Sequence, residues 1–277
     1  MEKLEAALAK AREARKASAI SVGDEITRHE QERAHGGVRQ GDWLSLPELT
    51  ISPELAQQQR LAALTGGKDA TPYDMLRSRA IRLMKEAGWK RLAVTSPNAA
   101  CGKTTVAMNL AVSLARQQDT KVLLIDVDLR RPALNKLIGH HPKRSLHEVL
   151  AGACPLEDAT VRFGTNLLIA TNNSPVRQPA ELLHSTRTRE ILAEIEERWK
   201  PDVTIFDMSP MLASDDNVGF MGNVDCALLV AAAESTTLAN IDACEKELAQ
   251  LTNVLGVVLN KCRYPDESAG YGYEAYD

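Results

Sequence analysis

Between residues 91 and 259, short apolar runs alternate with helical segments, and this alternation constrains the fold more than any other feature of the chain. The runs fall at 91–95, 121–125, 167–170, 203–206, 227–231 and 255–259, and the stretches 104–117, 182–199 and 238–251 carry apolar residues at helical spacing. Runs that do not alternate polar with apolar must be buried on both faces. The pattern therefore predicts an α/β fold, a mostly parallel sheet sandwiched by helices. Ligands of such sheets sit at the carboxyl ends of the strands. The longest unbroken apolar run, 226–233, is the length of a buried strand and falls far short of the roughly 18 residues needed to cross a bilayer, so no direct membrane span is expected.

Upstream of residue 91 the texture differs. Leu4, Ala7, Leu8 and Ala11 lie at helical spacing among charged residues and predict a short amphipathic helix over 3–17, frayed or docked on the chain itself in preference to a partner. Residues 18–69 are polar, with glycines that include Gly36, Gly37, Gly41, Gly66 and Gly67, which reads as a flexible arm with Trp43, Leu44 and Leu46 as its possible anchors. A helix is expected from Thr71-Pro72 to Gly88, with Thr71 as its N-cap. The expected organisation is an N-terminal helix and arm over 1–70, a folded domain over 71–262 and a tail over 263–277. The start of the chain shows no apolar signal core, so a cytoplasmic location is expected. Five scattered cysteines without a C-x-x-C pair predict free thiols, and a net charge of -4 offers no broad basic field for nucleic acid.

Directly after the first run comes Thr95-Ser96-Pro97-Asn98-Ala99-Ala100-Cys101-Gly102-Lys103-Thr104-Thr105, followed by an apolar helix. Strand, loop, Gly-Lys-Thr and helix in this order form a P-loop, in which backbone N–H groups and a helix N-terminus hold phosphates. Gly102 lets the backbone approach the anion, Lys103 reaches the outer phosphates and the Thr104 hydroxyl suits magnesium. Pro97 stands where the usual pattern has its first glycine, so this is a deviant Walker A loop. The second run ends in Asp126-Val127-Asp128-Leu129-Arg130-Arg131-Pro132 and a later one in Phe206-Asp207. Carboxylates leaving buried strands are costly unless they meet a cation, and nucleotide-bound magnesium supplies one. Arg130 suits either phosphoryl-charge neutralisation or a structural pair with a nearby acid.

These three elements together resemble the bacterial tyrosine kinases of exopolysaccharide and capsule assembly. The resemblance runs over about residues 71–262 and includes Ser145-Leu146-His147-Glu148, Gln178-Pro179-Ala180-Glu181 and Gly256-Val257-Val258-Leu259-Asn260. Related ATPases of septum placement and plasmid partition carry a lysine at the position of Asn98, which favours the kinase branch. The resemblance implies ATP and Mg2+ as cofactors. It makes Lys103, Asp126, Asp128, Arg130 and Asp207 catalytic, with Thr104, Asp128 and Asp207 toward the metal. Ala99 to Thr105 would hold the nucleotide phosphates and Asn260 the base. One of Asp126 and Asp128 would accept the substrate tyrosine proton. Two departures stand out: Ala99-Ala100 replaces the usual Pro-Gly, and of the Glu-x-x-Arg-x-x-Arg helix of ring-forming relatives (here Thr71, Asp74, Arg77) only the last residue matches, so a ring is not implied. A homo-oligomer remains compatible.

Four of the five tyrosines, Tyr264, Tyr271, Tyr273 and Tyr276, lie in the last 14 residues, where random placement puts about 0.25. The segment has no aliphatic side chain larger than Ala and cannot build a core. By resemblance these are the sites of autophosphorylation in trans, each phosphate adding charge to an already acidic segment and favouring its release from a neighbour's site. Relatives without a membrane half work with a separate membrane chain-length or co-polymerase protein whose cytoplasmic segment activates them, so that partner, and recruitment to the inner face of the membrane, are expected. The competing expectation is an ATP-dependent positioning module that switches assembly and transfers nothing to tyrosine.

Overall fold

The computed structural model describes residues 42–263; the helix expected over 3–17 and the four tail tyrosines lie outside the described residues. Seven strands form one sheet: β1 (Arg91–Thr95), β2 (Val122–Asp126), β3 (Thr160–Phe163), β4 (Leu167–Ala170), β5 (Val203–Asp207), β6 (Cys226–Ala232) and β7 (Asn253–Asn260), in the spatial order β3-β4-β2-β5-β1-β6-β7. All neighbours are parallel except β3 and β4. β2, β4, β5 and β6 are buried along their whole length, which is why their sequences read as continuous apolar runs. Within β2, Leu123 and Ile125 face one core while Val122 and Leu124 face the other, so helices must cover both sides.

The six expected strands are present, with ends shifted by at most two residues. The seventh, β3, was not legible: it is four residues long with a charged Arg162, and it joins β4 through a turn at 164–166 that starts at Gly164 (φ 61°). The helix expected over 182–199 is two. Pro179–Leu183 ends where Ser185 accepts from Thr188 N–H at 3.0 Å and caps Thr186–Trp199, while the Thr188 hydroxyl donates back to Leu182 C=O at 2.7 Å. The helix Thr71–Ala87 ends on left-handed Gly88 as expected, but Ala70 rather than Thr71 holds its N-cap position, without a side-chain bond.

The expected loose arm is packed from residue 42 on. The Trp43 indole N–H donates to Trp199 C=O at 2.9 Å, the two rings meet edge to face at 6.4 Å and Lys121 Nζ lies 5.3 Å above the Trp43 ring. Leu46 is buried with Trp43, whereas Leu44 points to solvent. The chain then runs beside β3, Leu49 N–H donating to Arg162 C=O at 2.7 Å and Arg162 N–H to Pro47 C=O at 2.9 Å, and so covers that sheet edge. Two short helices, Pro53–Gln58 and Ala62–Thr65, finish on the opposite face. There the buried Asn109 side chain accepts from Ala63 N–H at 2.8 Å and donates to Arg60 C=O at 3.1 Å and Thr105 C=O at 2.9 Å. The arm's few apolar residues are widely spaced, so its polar average concealed them. Asn109→Ala strands these backbone groups and is expected to lower unfolding free energy by about 2 kcal/mol in urea denaturation.

Candidate phosphate and nucleotide site

Strand order explains why distant motifs meet. β2, β5 and β1 are consecutive in the sheet, with Asp126 paired beside Asp207 and Asp207 beside Val94, so their carboxyl ends bring Asp126, Asp207 and the loop 96–102 together. The helix Lys103–Ala115 starts at the end of that loop, its N-terminus aimed across the strand ends.

Gly102, at the N-cap, has φ 89°, which favours glycine, and a Cβ there would stand 2.3 Å from Asn260 Nδ2 and push that amide aside. Asn260 donates to Cys101 C=O at 2.9 Å, which places it on the loop. The Cys101 thiol donates to Asn98 C=O at 3.2 Å. All five cysteines are unpaired. Ala100 occupies the left-handed region at φ 63°, where a Cβ costs about 1–2 kcal/mol. Ala100→Gly is therefore expected to stabilise the loop by about 0.5 kcal/mol after the entropy cost of glycine, visible as a small rise in thermal midpoint, without loss of nucleotide affinity.

Lys103 Nζ lies 2.8 Å from Asp128 Oδ2, 3.6 Å from Asp207 Oδ1 and 3.4 Å from Thr104 Oγ1. All of these side chains are buried. Burial pulls the Lys103 ammonium down, but the Asp207 and Asp128 carboxylates outweigh it and its pKa lies above the ordinary lysine value. Asp126 is held well above the carboxylate range, first by burial and then by repulsion from Asp207. Burial likewise raises Asp207, against the pull of Lys103. Asp126 accepts from Asp128 N–H at 3.2 Å and Leu134 N–H at 3.4 Å, and Asp128 accepts from Arg131 N–H at 3.1 Å. Neither oxygen of fully buried Asp207, by contrast, has a partner at hydrogen-bond distance; Lys103, at 3.6 Å, and the Thr104 side chain pull against its burial from farther off.

A buried carboxylate so loosely partnered suits a divalent cation, and with the Thr104 hydroxyl and Asp128 the donor set is all oxygen, which fits magnesium. Among the described residues no three acidic, His or Cys side chains form a stand-alone metal cage, so the cation would need phosphate oxygens as further ligands. Lys103, Thr104, Asp126, Asp128 and Asp207 thus converge, and Cys101, Gly102 and Asn260 border them. Arg130 does not join them: its guanidinium is paired with Asp216, at 2.5 Å from Nε and 2.9 Å from Nη2. Sequence reasoning missed Asp216 and also Asn172, which donates to Asp126 C=O at 2.8 Å. The only signal for Asp216 was an acidic pair, Asp215-Asp216, shortly after Asp207. Arg77 turns to Asp74 and to Ser113 of the loop's helix.

Residues 92–271 match the CobQ/CobB/MinD/ParA nucleotide binding domain. The putative tyrosine-protein kinase EpsB of Ralstonia solanacearum is 31% identical over 237 residues, 83% of this chain and 31% of that protein. The tyrosine-protein kinase YwqD of Bacillus subtilis strain 168 is 31% identical over 221 residues, 78% of this chain and 91% of that protein. The kinase domain of the Escherichia coli tyrosine kinase ETK superposes with a TM-score of 0.66 at 27% identity, over 82% of this chain and 94% of that one. The chain spans about a third of the length of EpsB. Among the described residues no helix is long and apolar enough to cross a membrane.

Proposed function

Because the chain belongs to the bacterial tyrosine-protein kinases of the CobQ/CobB/MinD/ParA nucleotide-binding family, we propose that it is an ATP- and Mg2+-dependent protein-tyrosine autokinase whose substrate is its own cluster Tyr264, Tyr271, Tyr273 and Tyr276. The observation that carries this reading is the buried Lys103 ammonium beside Asp128 and Asp207, with Asp126 adjacent. Phosphoryl transfer asks the protein mainly for positioning and charge. Lys103 would exchange its Asp128 contact for phosphate oxygens, and the amides of 99–105 would hold the remaining phosphate charge. Thr104, Asp128 and Asp207 would hold magnesium, which when bound neutralises charge on the transferring group. Asp126 or Asp128 would take the tyrosine hydroxyl proton; a carboxyl held above its usual range, as Asp126 is, suits that task near neutral pH. Asn260 would meet the base.

The cellular setting follows from the resemblance: regulation of exopolysaccharide or capsule polymerisation or export, at the inner face of the membrane, with a membrane co-polymerase partner whose cytoplasmic segment activates the kinase. The alternative, an ATP-driven positioning module, draws support from Asp74 and Arg77, which stand where ring-forming relatives carry assembly residues and here bond within the chain.

Intact-mass and phosphotyrosine mapping after incubation with ATP and Mg2+ separates the two. The parent is expected to gain phosphate within 264–276, while Lys103→Met and a variant with the four tyrosines changed to Phe are not. A parent that hydrolyses ATP yet stays unmodified, with a fragment of the membrane partner present, leaves the positioning module as the better account.

A further inference from the structure

We propose that Asp216 is a positioning residue which fixes the acidic loop 126–131 against the phosphate loop, and that Arg130 acts through this link rather than on phosphate; the inference rests on the nucleotide-site reading above. Asp216 is 2% exposed and accepts three hydrogen bonds, two from the fork of Arg130 and one from Ser214 Oγ at 2.8 Å. A bidentate guanidinium on a buried carboxylate is directional, although the Arg130 side chain itself is 45% exposed and water screens part of the attraction. Its reach into the site is short. Arg130 lies within the turn closed by Arg131 N–H on Asp128 Oδ1, and the other oxygen of Asp128 holds Lys103.

The segment that carries Asp216 is itself bonded to the phosphate loop. Met211 N–H donates to Ser96 C=O at 2.8 Å and Leu212 N–H to Pro97 C=O at 3.2 Å. Thr95 Oγ1 and Asn217 Nδ2 both donate to Ser209 C=O at 2.7 Å. Residues 209–217 are thus tied at one end to the strand and loop that lead to Lys103, and at the other, through Asp216 and Arg130, to the turn that holds Asp128. This yoke sets the spacing between Lys103 and Asp128. The Nε/Nη2 edge of Arg130 is taken by Asp216, which fixes the plane and direction of the guanidinium.

The test compares Asp216→Asn, Arg130→Gln, Arg130→Lys and the Asn/Gln double variant in the full chain, with thermal melting to confirm folding. The readouts are the initial rate of phosphotyrosine formation at varied ATP, and binding of a fluorescent ADP analogue at varied Mg2+. Both neutral single variants are expected to lose about 10- to 100-fold in kcat with little change in ATP KM. They should need several-fold more Mg2+ for half-saturation. The double variant should be no worse than the poorer single, and Arg130→Lys should fail to restore the parent rate. Unchanged kcat and Mg2+ requirement in Asp216→Asn overturn the proposal. So does a raised ATP KM in Arg130→Gln that Asp216→Asn does not share, since that places Arg130 on the phosphate. A parent that binds the analogue without forming phosphotyrosine overturns the kinase reading alone, and the Mg2+ requirement of the variants then decides this one; a parent that binds no analogue overturns both.

Discussion

Lys103→Met is expected to abolish ATP-dependent phosphorylation and also to lower the unfolding free energy of the nucleotide-free protein by about 3 kcal/mol near pH 7, because it leaves a buried acidic cluster without its cation. The pH dependence identifies the cause. Asp126 and Asp207 are already held above the carboxylate range, and without Lys103 they rise further and take up protons as the pH falls, so the deficit should shrink toward pH 5. The Lys103 ammonium, raised above its ordinary value, keeps its full contribution below its unfolded pKa near 10.5 and loses it only above that. Denaturant unfolding of parent and variant at pH 5, 7 and 9 gives the comparison. Equal stability at all three values would mean that Lys103 is not the counter-charge of the cluster.

Asp207→Asn should move stability the other way. A carboxyl whose pKa is raised on folding favours the folded state below its unfolded value, near 3.8, and that contribution is lost as the pH rises through the folded value. As the pH rises toward 8 the fully buried Asp207 therefore becomes a net cost to the nucleotide-free protein, although Lys103, 3.6 Å away, offsets part of it. Neutral Asn should raise the unfolding free energy by about 1–2 kcal/mol at pH 8, with the gain fading toward pH 4. The same change should remove the Mg2+ dependence of nucleotide binding, so that gain in stability and loss of function occur together, as they do where an active site stores unfavourable charge. A variant less stable than the parent at pH 8 would show that Asp207 is satisfied by contacts within the protein.

Much of this was readable from residues because burial and chemistry left separate marks. Strands buried on both faces read as apolar runs, and an acid at the end of such a run, as at Asp126 or Asp207, has no structural reason to be there. What escaped was whatever lacked a local signature. β3 is too short and too mixed to show a period. The arm's packing depends on Trp43, Leu46, Leu49, Leu61 and Ala63, spread over more than twenty polar-averaged positions, and on hydrogen bonds to Asn109 from far along the chain. Asp216 meets Arg130 across 86 residues, and only the fold brings them together. The split at Ser185 is the exception, since a Ser N-cap before an amphipathic helix was open to reading.

Lys103, Thr104, Asp128 and Asp207 are proposed to form a site for nucleotide phosphates with their cation. Calorimetric titration of ADP into the parent and into Asp207→Asn, with and without Mg2+, tests it most directly. Binding to the parent should tighten at least tenfold with Mg2+, and binding to the variant should not respond to it. Equal Mg2+ enhancement in both proteins, or no binding to the parent, would contradict it.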